Sequence, residues 1–338
     1  MEPRYLRPIP LTDPAPCGDA LMLAGGWVRF THVESLSRGA PPRIIAAADL
    51  PPEHLAPFLA PRAPFAGLSL DRPRLMGIVN VTPDSFSDGG RHADPTAALA
   101  QVEAMLAQGA DVIDIGGEST RPGARELAEA EEIARILPVI EALAARGMAT
   151  PVSLDTRKAG VARAGLAAGV RIVNDVSGLR FDPALAGVVA EAGAALIVMH
   201  SIGTPQTMQA LAADAYGDVV LDVYDALAAC VAQAEAAGVP RTRIMIDPGI
   251  GFGKTLDQNL AILRRLSLFH GLGCAVLLGA SRKGMIGTIA GEPVAARRAP
   301  GSAAIGLWAV AQGMQMLRVH DMETHQQALA LWQALAVQ

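Results

Sequence analysis

Eight short apolar runs recur along the chain, and each one ends in polar residues. They lie at residues 75–82, 111–118, 151–156, 172–178, 196–201, 244–249, 276–282 and 316–321. A longer stretch rich in Ala, Leu, Glu and Arg, with the spacing of an amphipathic helix, follows each run. Short apolar runs that alternate with helices are typical of buried parallel strands joined by crossover helices. Eight such units predict an α/β fold, a closed (β/α)8 TIM barrel.

The first part of the chain has a different character from the rest. Residues 1–70 are rich in proline and contain one strand-like run at 27–36. We therefore predict an N-terminal extension, residues 1–70, which packs on the barrel and contains a small β element. The barrel itself is predicted to span residues 71–338.

Composition narrows the class of protein. The chain has 338 residues, of which 51% are hydrophobic and 18% charged, as a barrel with buried strands requires. No apolar run reaches the roughly 18–20 residues of a membrane span, and the N-terminus lacks the apolar core of a signal peptide. The three cysteines are scattered, which predicts a reducing cytoplasm without disulfides or thiolate metal sites.

The net charge of the chain indicates which kinds of molecule it can bind. A net charge of −5, without a basic stripe, argues against nucleic-acid binding. An anionic small molecule stays possible if the cations concentrate at one place, and several of them fall at predicted strand ends.

Three of the runs end in side chains that are costly to bury. These are Asp155, Asn174 and Asp247, at the ends of the third, fourth and sixth runs. A barrel collects the carboxyl ends of its strands at one mouth, where the active site lies. One buried Asp could merely cap a helix, but three such side chains could bind a planar heterocycle rich in N–H donors, such as the edge of a pterin.

The last two runs supply cations, and the first supplies a candidate metal ligand. Lys283 follows the seventh run, and Arg318 and His320 alternate on the eighth, so that they face the same side. The loops after the last two strands are the usual phosphate site of such barrels. Asn80, at the end of the first run, is a hard oxygen ligand suited to Mg²⁺ bridged to a diphosphate.

The segment 249–255, GIGFGKT, is a false match to a phosphate-binding P-loop. The first glycine that this motif requires falls on Pro248. We interpret the glycines as a tight turn between a strand and a helix.

The motifs at the ends of the eight runs, taken together, can be compared with those of known protein families. In chain order they are GIVNVTPDSFSDGG, DIGGESTRPGA, VSLDTRK, IVNDVSGL, MHSIGTPQTMQ, IDPGIGFGKT, GASRKGMIG and RVHD. They resemble the motifs of the dihydropteroate synthase family from about Leu75 to the C-terminus. The resemblance implies a transferase of folate biosynthesis that condenses para-aminobenzoate with 6-hydroxymethyl-7,8-dihydropterin diphosphate. It implies Mg²⁺ as cofactor, release of pyrophosphate by way of a dihydropterin cation, and sensitivity to sulfonamides.

The resemblance also assigns roles to residues. The pterin would be held by Asp155, Asn174, Asp247 and Lys283, with Met199 as a wall. Arg318 would stack on the pterin, and Arg318 and His320 would hold the diphosphate with Mg²⁺ bound to Asn80. Two loops would close over the site, through Asp84, Phe86 and Asp88 in the first and Thr120 and Arg121 in the second. Phe86, Pro122 and the turn at Lys283–Gly284 would frame the aminobenzoate pocket. The residues to which it assigns the chemistry are Asp155, Lys283, Asp88 and Arg121.

Two alternatives share the pterin-binding residues. A methyltetrahydrofolate–corrinoid methyltransferase would not need the STRPG, SRK and RVHD motifs, which are all present. A non-catalytic pterin-binding paralogue would not need Asp88, Arg121 and Lys283. One position departs from the family, because Gly284 stands where Ser or Arg is frequent. A helical face near the C-terminus favours a homodimer.

Overall fold

Eight parallel strands close into a barrel in chain order, as predicted. The computed structural model describes residues 5–11, 18–81, 95–119 and 123–336. The barrel strands are β6 (Arg74–Asn80), β7 (Val112–Gly116), β8 (Val152–Asp155), β9 (Ile172–Asp175), β10 (Ala195–Met199), β11 (Ile244–Asp247), β12 (Ala275–Leu278) and β13 (Met316–Val319). The TIM barrel is confirmed, and each strand occupies the apolar part of its run.

Helices follow the strands and cover the outside of the barrel. They span Pro95–Ala107, Glu129–Ala145, Ala159–Ala167, Leu185–Glu191, Met208–Leu211, Val219–Ala236, Leu256–Leu263, Gly284–Ala290, Ala299–Val310 and Met322–Ala336, with short 3₁₀ turns at Arg241–Arg243, Leu266–Leu272 and Ala295–Arg297. The helices Met208–Leu211 and Gly284–Ala290 were not predicted from the sequence, because each is short and lies between a run and the longer helical stretch that follows it.

The N-terminal extension contains the expected β element. Strands Tyr5–Pro8 (β1), His32–Ser37 (β4) and Ala40–Ala46 (β5) form a three-stranded antiparallel sheet, and Leu21–Met22 (β2) pairs with Arg29–Phe30 (β3). The strand-like run at 27–36 is therefore two strands. A 3₁₀ turn at Ala47–Asp49 and an unpredicted helix, Pro52–Leu59, follow, and Pro57 lies inside that helix.

Polar contacts join the extension to the barrel. The Trp27 Nε1 donates to the Val310 carbonyl at 2.8 Å, and the Ser267 hydroxyl donates to the Pro8 carbonyl at 2.7 Å. The Arg62 guanidinium donates to four carbonyls, of which Cys274 and His270 belong to the barrel. The domain boundary at residue 70 stays a prediction.

Alternation along the strands separates two apolar cores. Side chains of one parity, such as Ile113, Leu154 and Val198, pack outward against the helices. Side chains of the other parity form a separate cluster in the barrel interior: Met76, Val112, Ile172, Ala195, Ile197, Met245, Ala275, Leu277 and Met316, joined by Phe65 and Leu70 from before the first barrel strand. We call this cluster the lower layer.

No helix in the described part of the chain is both long enough and apolar enough to cross a bilayer.

Candidate active site at the carboxyl ends of the barrel strands

A polar set of inward side chains lies directly above the lower layer. Because side chains alternate along a strand, a residue two positions beyond an inward apolar residue also points inward. The inward residues at this level include Asp114, Asn174, Met199, Asp247 and Arg318, which are reached in this way, and Asp155, which lies two positions beyond the inward Ser153 on β8. We call them the upper layer. Apart from Met199 they are polar. Asp155, Asn174, Asp247 and Arg318 were predicted as site residues from their positions at strand ends, and Met199 from the family resemblance.

Arg318 is the centre of the upper layer. Its Nε lies 2.6 Å from Asp114 Oδ2, and its Nη2 lies 2.7 Å from Asp155 Oδ2. The Asn174 side-chain amide donates to the same Asp114 oxygen at 3.2 Å. Residues from β7, β8, β9 and β13 thus meet across the mouth. One guanidinium serves two carboxylates, which leaves this group with an excess of negative charge.

Asp114 was not predicted as a site residue. It lies in the middle of DVIDIGG, whereas the predicted residues lie at the ends of their runs. The strand parity would have found it, since Val112 is inward and Asp114 is two residues further on. Its Oδ1 atom is buried and has no hydrogen-bond partner among the described residues, and the same holds for the Ser153 hydroxyl nearby on β8.

The electrostatics of Asp155 follow from its burial. Burial raises the pKa of the Asp155 carboxyl to about 7, the Asp114 carboxylate adds to the rise, and the Arg318 guanidinium opposes it. A carboxyl group with a pKa near neutrality, in a cleft, is a frequent mark of a functional site.

The side chain of Asp175, the neighbour of Asn174, binds backbone N–H groups and does not face the mouth of the barrel. Its carboxylate accepts from the N–H groups of Ser177 at 2.7 Å and Leu179 at 2.6 Å. Strand parity points it away from the barrel interior. The structural role that we weighed for such residues therefore applies to Asp175.

Asp247 and Lys283 lie on the opposite side of the mouth. The Asp247 carboxylate accepts from the Gly249 N–H at 2.7 Å, and burial raises its pKa against the opposing influence of Gly249 and Lys283. The Lys283 Nζ lies 3.8 Å from the centre of the Phe252 ring, a cation–π contact. Gly249 has a φ of +69°, and a Cβ there would lie 1.9 Å from the His200 carbonyl oxygen, so only glycine fits this turn.

The turn at 249–255 is organised by a buried lysine. The Lys254 Nζ contacts the carbonyls of Gly249 at 2.8 Å and Phe252 at 3.1 Å, and His200 Nδ1 at 2.9 Å. Burial lowers the pKa of Lys254 to about 7 and that of His200 to about 2. The lysine of the false P-loop match therefore holds the turn together.

A second group of charges, fully compensated, lies at the base of the second loop. Glu118 pairs with both Arg157 and Lys158, and the Lys158 Nζ also lies 2.6 Å from Glu132 Oε2. All four side chains are buried. Because Glu118 lies two residues before Thr120, this ion-pair cluster fixes the point where the second loop leaves the barrel.

The remaining predicted residues fall into two groups. Asn80 is the last residue of β6 and is half-buried, and the His320 Nδ1 lies 3.1 Å from the Ser281 hydroxyl. Asp84, Phe86, Asp88, Thr120, Arg121 and Pro122 lie outside the described residues.

Asn80 offers Mg²⁺ a single ligand, its side-chain amide oxygen. Among the described residues no group of three or more His, Cys, Asp or Glu side chains could hold a metal. A single amide oxygen at the mouth fits an ion that takes most of its ligands from a diphosphate and water, which is the usual behaviour of Mg²⁺.

The barrel and its upper layer define a class of enzyme, and sequence comparison agrees. The sequence model of the pterin binding enzyme family matches residues 76–320. The chain therefore belongs to the pterin-binding enzymes.

Individual relatives specify the family further. A dihydropteroate synthase of Neisseria meningitidis serogroup C is 44% identical over 273 residues, which cover 80% of this chain and 95% of that protein. The Xanthomonas albilineans dihydropteroate synthase with 4-aminobenzoic acid is 46% identical, with a TM-score of 0.75, and the match covers 81% of this chain and 97% of that one. The structure of the same enzyme in complex with 7,8-dihydropteroate gives a TM-score of 0.72 at 43% identity, covering 81% and 98%. The chain belongs to the dihydropteroate synthase family.

Proposed function

We propose that this chain is a transferase that condenses para-aminobenzoate with 6-hydroxymethyl-7,8-dihydropterin diphosphate, giving 7,8-dihydropteroate and pyrophosphate for folate biosynthesis. The observation that carries the proposal is the convergence of Asp155, Asn174 and Asp247 in the upper layer, within a chain of this family. Their oxygens are acceptors for the N–H groups of a pterin edge, and carboxylates bind such paired donors as they bind a guanidinium.

The upper layer gives the pterin a floor and walls. The ring would lie between the side chains of this layer, with Met199 as one wall and Lys283 on the side of Asp247. In the free protein, Arg318 bridges Asp114 and Asp155. These two carboxylates hold the guanidinium in place before the pterin binds, and the ring would stack on it in that position.

The diphosphate would lie toward Arg318 and His320, at the mouth above β13. Asn80, across the junction of β13 with β6, would hold Mg²⁺ there. Bound Mg²⁺ would neutralise charge on the leaving pyrophosphate. The two side chains Arg318 and His320 would orient the diphosphate and stabilise the charge that it gains.

The bond changes follow from this placement. The C–O bond between the pterin methylene and the diphosphate breaks, and its electron pair leaves with pyrophosphate. The cationic dihydropterin is stabilised by Asp155, the carboxylate that shares Arg318 with Asp114. The aminobenzoate nitrogen then forms the C–N bond and releases a proton to solvent. An arylamine is weakly basic, so it needs positioning more than deprotonation.

Two loops would complete the site. Phe86 and Asp88 in the first loop and Thr120, Arg121 and Pro122 in the second would close over the substrates and exclude water, which otherwise hydrolyses the cation. The buried cluster around Glu118 supports this arrangement, since it anchors the second loop at its base. A related structure, the Yersinia pestis dihydropteroate synthase, is described with a sulfonamide drug, and we propose that the aminobenzoate pocket here takes sulfonamides too.

The test is a pyrophosphate-release assay on the purified chain with pterin diphosphate and Mg²⁺. We expect pyrophosphate release that increases with added para-aminobenzoate, together with 7,8-dihydropteroate identified by mass spectrometry. Asp155→Asn serves as the matched control for contaminating activity. Release that does not respond to aminobenzoate, or that is equal in the variant, would contradict the proposal.

The assembly and compartment are part of the same proposal. Trp308, Leu331 and Leu335 expose apolar surface on the helices Ala299–Val310 and Met322–Ala336, which pack together. We propose that a second copy covers this face, giving a homodimer. Light scattering should show twice the monomer mass for the wild type, and less for Leu331→Glu. Cys230 and Cys274 are free thiols, in keeping with the cytoplasm.

A further inference from the structure

A strained residue lies beside the active-site lysine. Arg282, between Ser281 and Lys283, has a φ of +58°, in the left-handed region that residues with a side chain rarely adopt. Strained backbone of this kind persists only where the surroundings hold it, and it is frequent at functional sites.

Several contacts hold Arg282 in this conformation. Its guanidinium forms a two-pronged ion pair with Asp321, through Nε at 2.9 Å from Oδ2 and through Nη2 to Oδ1. Its backbone N–H donates to the Ser302 hydroxyl at 2.9 Å. Its carbonyl accepts from Arg298 Nη1 at 3.1 Å. Both the side chain and the backbone of Arg282 are therefore fixed.

A second contact, between Ser281 and His320, lies next to the ion pair of Arg282 with Asp321. The His320 N–H donates to the Ser281 hydroxyl at 3.1 Å, and His320 Nδ1 lies 3.1 Å from the same oxygen. Ser281 pairs with His320 as Arg282 pairs with Asp321. These four residues form a two-rung clamp between the turn after β12 and the end of β13.

The clamp fixes two residues of the proposed substrate site at once. Lys283 comes directly after Arg282, so the backbone conformation of Arg282 sets the position of the Lys283 side chain. Its Nζ lies over the Phe252 ring, close enough to Asp247 to oppose the rise in that group's pKa. His320 is itself part of the clamp.

We propose that Asp321 is a positioning residue for the transferase reaction. It holds Arg282 in the left-handed conformation, and through Arg282 it places Lys283 against the pterin; the same clamp places His320 against the diphosphate. The inference rests on the proposed function, since it names the substrates that the two side chains meet. Asp321 itself does not need to touch either substrate.

The test uses two single variants and their combination. Arg282→Gly removes the guanidinium but suits a positive φ better than Arg does. Asp321→Asn removes the charge, and Asn remains a good cap for the helix Met322–Ala336 that begins at the next residue. The control is Glu235→Gln, which removes a carboxylate from a pair of the same geometry with Arg241, 2.9 Å from Nε and 2.6 Å from Nη2, on the protein surface.

The expected signature is a change in KM with little change in kcat. Both single variants should raise the KM for pterin diphosphate about tenfold, since small displacements of positioning groups cost factors of this order. The double variant should be no worse than Arg282→Gly, because both residues act through one contact. Glu235→Gln should leave KM unchanged. Arg282→Gly should also be at least as thermostable as the wild type.

Three results would overturn the inference. Wild-type KM in both single variants would show that the clamp does not position substrate. A lower melting temperature or lower kcat at unchanged KM would mark a purely structural contact. Additive effects in the double variant would show that Asp321 does not act through Arg282. If instead the wild type forms no dihydropteroate, the proposed function fails and the inference fails with it.

Discussion

The two layers inside the barrel are built from the same strands yet have opposite chemistry. On four strands an inward apolar residue is followed, two positions later, by an inward polar residue. These pairs are Val112 and Asp114, Ile172 and Asn174, Met245 and Asp247, and Met316 and Arg318. A distance of two residues along the strand therefore separates the packed apolar core from the polar candidate active site. Phe65 and Leu70 belong to the lower layer, so the barrel interior also draws on residues before the predicted boundary at 70.

The difference shows where stability and activity reside. The lower layer is apolar and buried, so it stabilises the fold by excluding water. The upper layer holds more carboxylates than cations, and Asp114 Oδ1 and Ser153 Oγ have no hydrogen-bond partner within the described residues. Burial of such groups costs free energy. A barrel optimised for stability alone would not keep them, which indicates a functional reason for the upper layer.

Asp155 is the upper-layer residue whose substitution should have the largest effect on activity. We expect Asp155→Asn to lower kcat/KM by about a thousandfold, since it removes the charge that stabilises the dihydropterin cation. The free energy of unfolding at pH 8 should be unchanged or higher, because the substitution removes a buried charge while Arg318 keeps its pair with Asp114. Steady-state kinetics and urea unfolding measure both quantities. Activity close to that of the wild type would exclude Asp155 from the chemistry.

The converse change is in the lower layer, at Met245, two residues before Asp247. Met245→Ala should destabilise the fold by about 2–5 kcal/mol, because the side chain is fully buried. At a temperature where the variant is folded, kcat/KM should stay within about threefold of the wild type. A large loss of activity in fully folded Met245→Ala would show that the layers are not separate.

Lys283 is the cation that lies beside Asp247, at the edge of the upper layer. Lys283→Ala should weaken the binding of pterin diphosphate by about thirtyfold, the loss of a charge-assisted contact in a partly buried site. Lys283→Arg keeps the charge and should recover part of the affinity. Isothermal titration calorimetry gives both dissociation constants, and an unchanged Kd in the Ala variant would remove Lys283 from the pterin site.

The smallest expected effect concerns pH. Only ionised Asp155 can stabilise the cation, and its pKa is raised to about 7, so kcat/KM should rise with pH through that value. Asp114 raises this pKa. Asp114→Asn should therefore move the midpoint to lower pH, by roughly one unit. A pH profile of both proteins checks this, and a midpoint that is unchanged or higher would argue against the assignment.

The sequence predicts the barrel well because its strands and helices have clear periods. Asp155, Asn174, Asp247 and Arg318 could be found because each lies at the end of an apolar run. Asp114 was missed because it lies within its run, where only strand parity distinguishes it. These are all local signals.

Contacts between distant segments could not be predicted in the same way. The pairing of Glu118 with Arg157 and Lys158 depends on how two neighbouring strands end. The strain at Arg282 depends on Asp321 and Ser302, which lie far along the chain. Neither contact leaves a pattern in the spacing of residues. The helix Pro52–Leu59 was missed for another reason, since its prolines mask its helical character.

A crystal structure of the protein with bound 7,8-dihydropteroate would show directly whether the upper layer is the pterin site. We expect the pterin ring between the side chains of the upper layer, with its N–H groups within hydrogen-bond distance of Asp155, Asn174 and Asp247, and the aminobenzoate part pointing out of the mouth past Lys283. A pterin bound elsewhere, with no contact to these three side chains, would contradict the account.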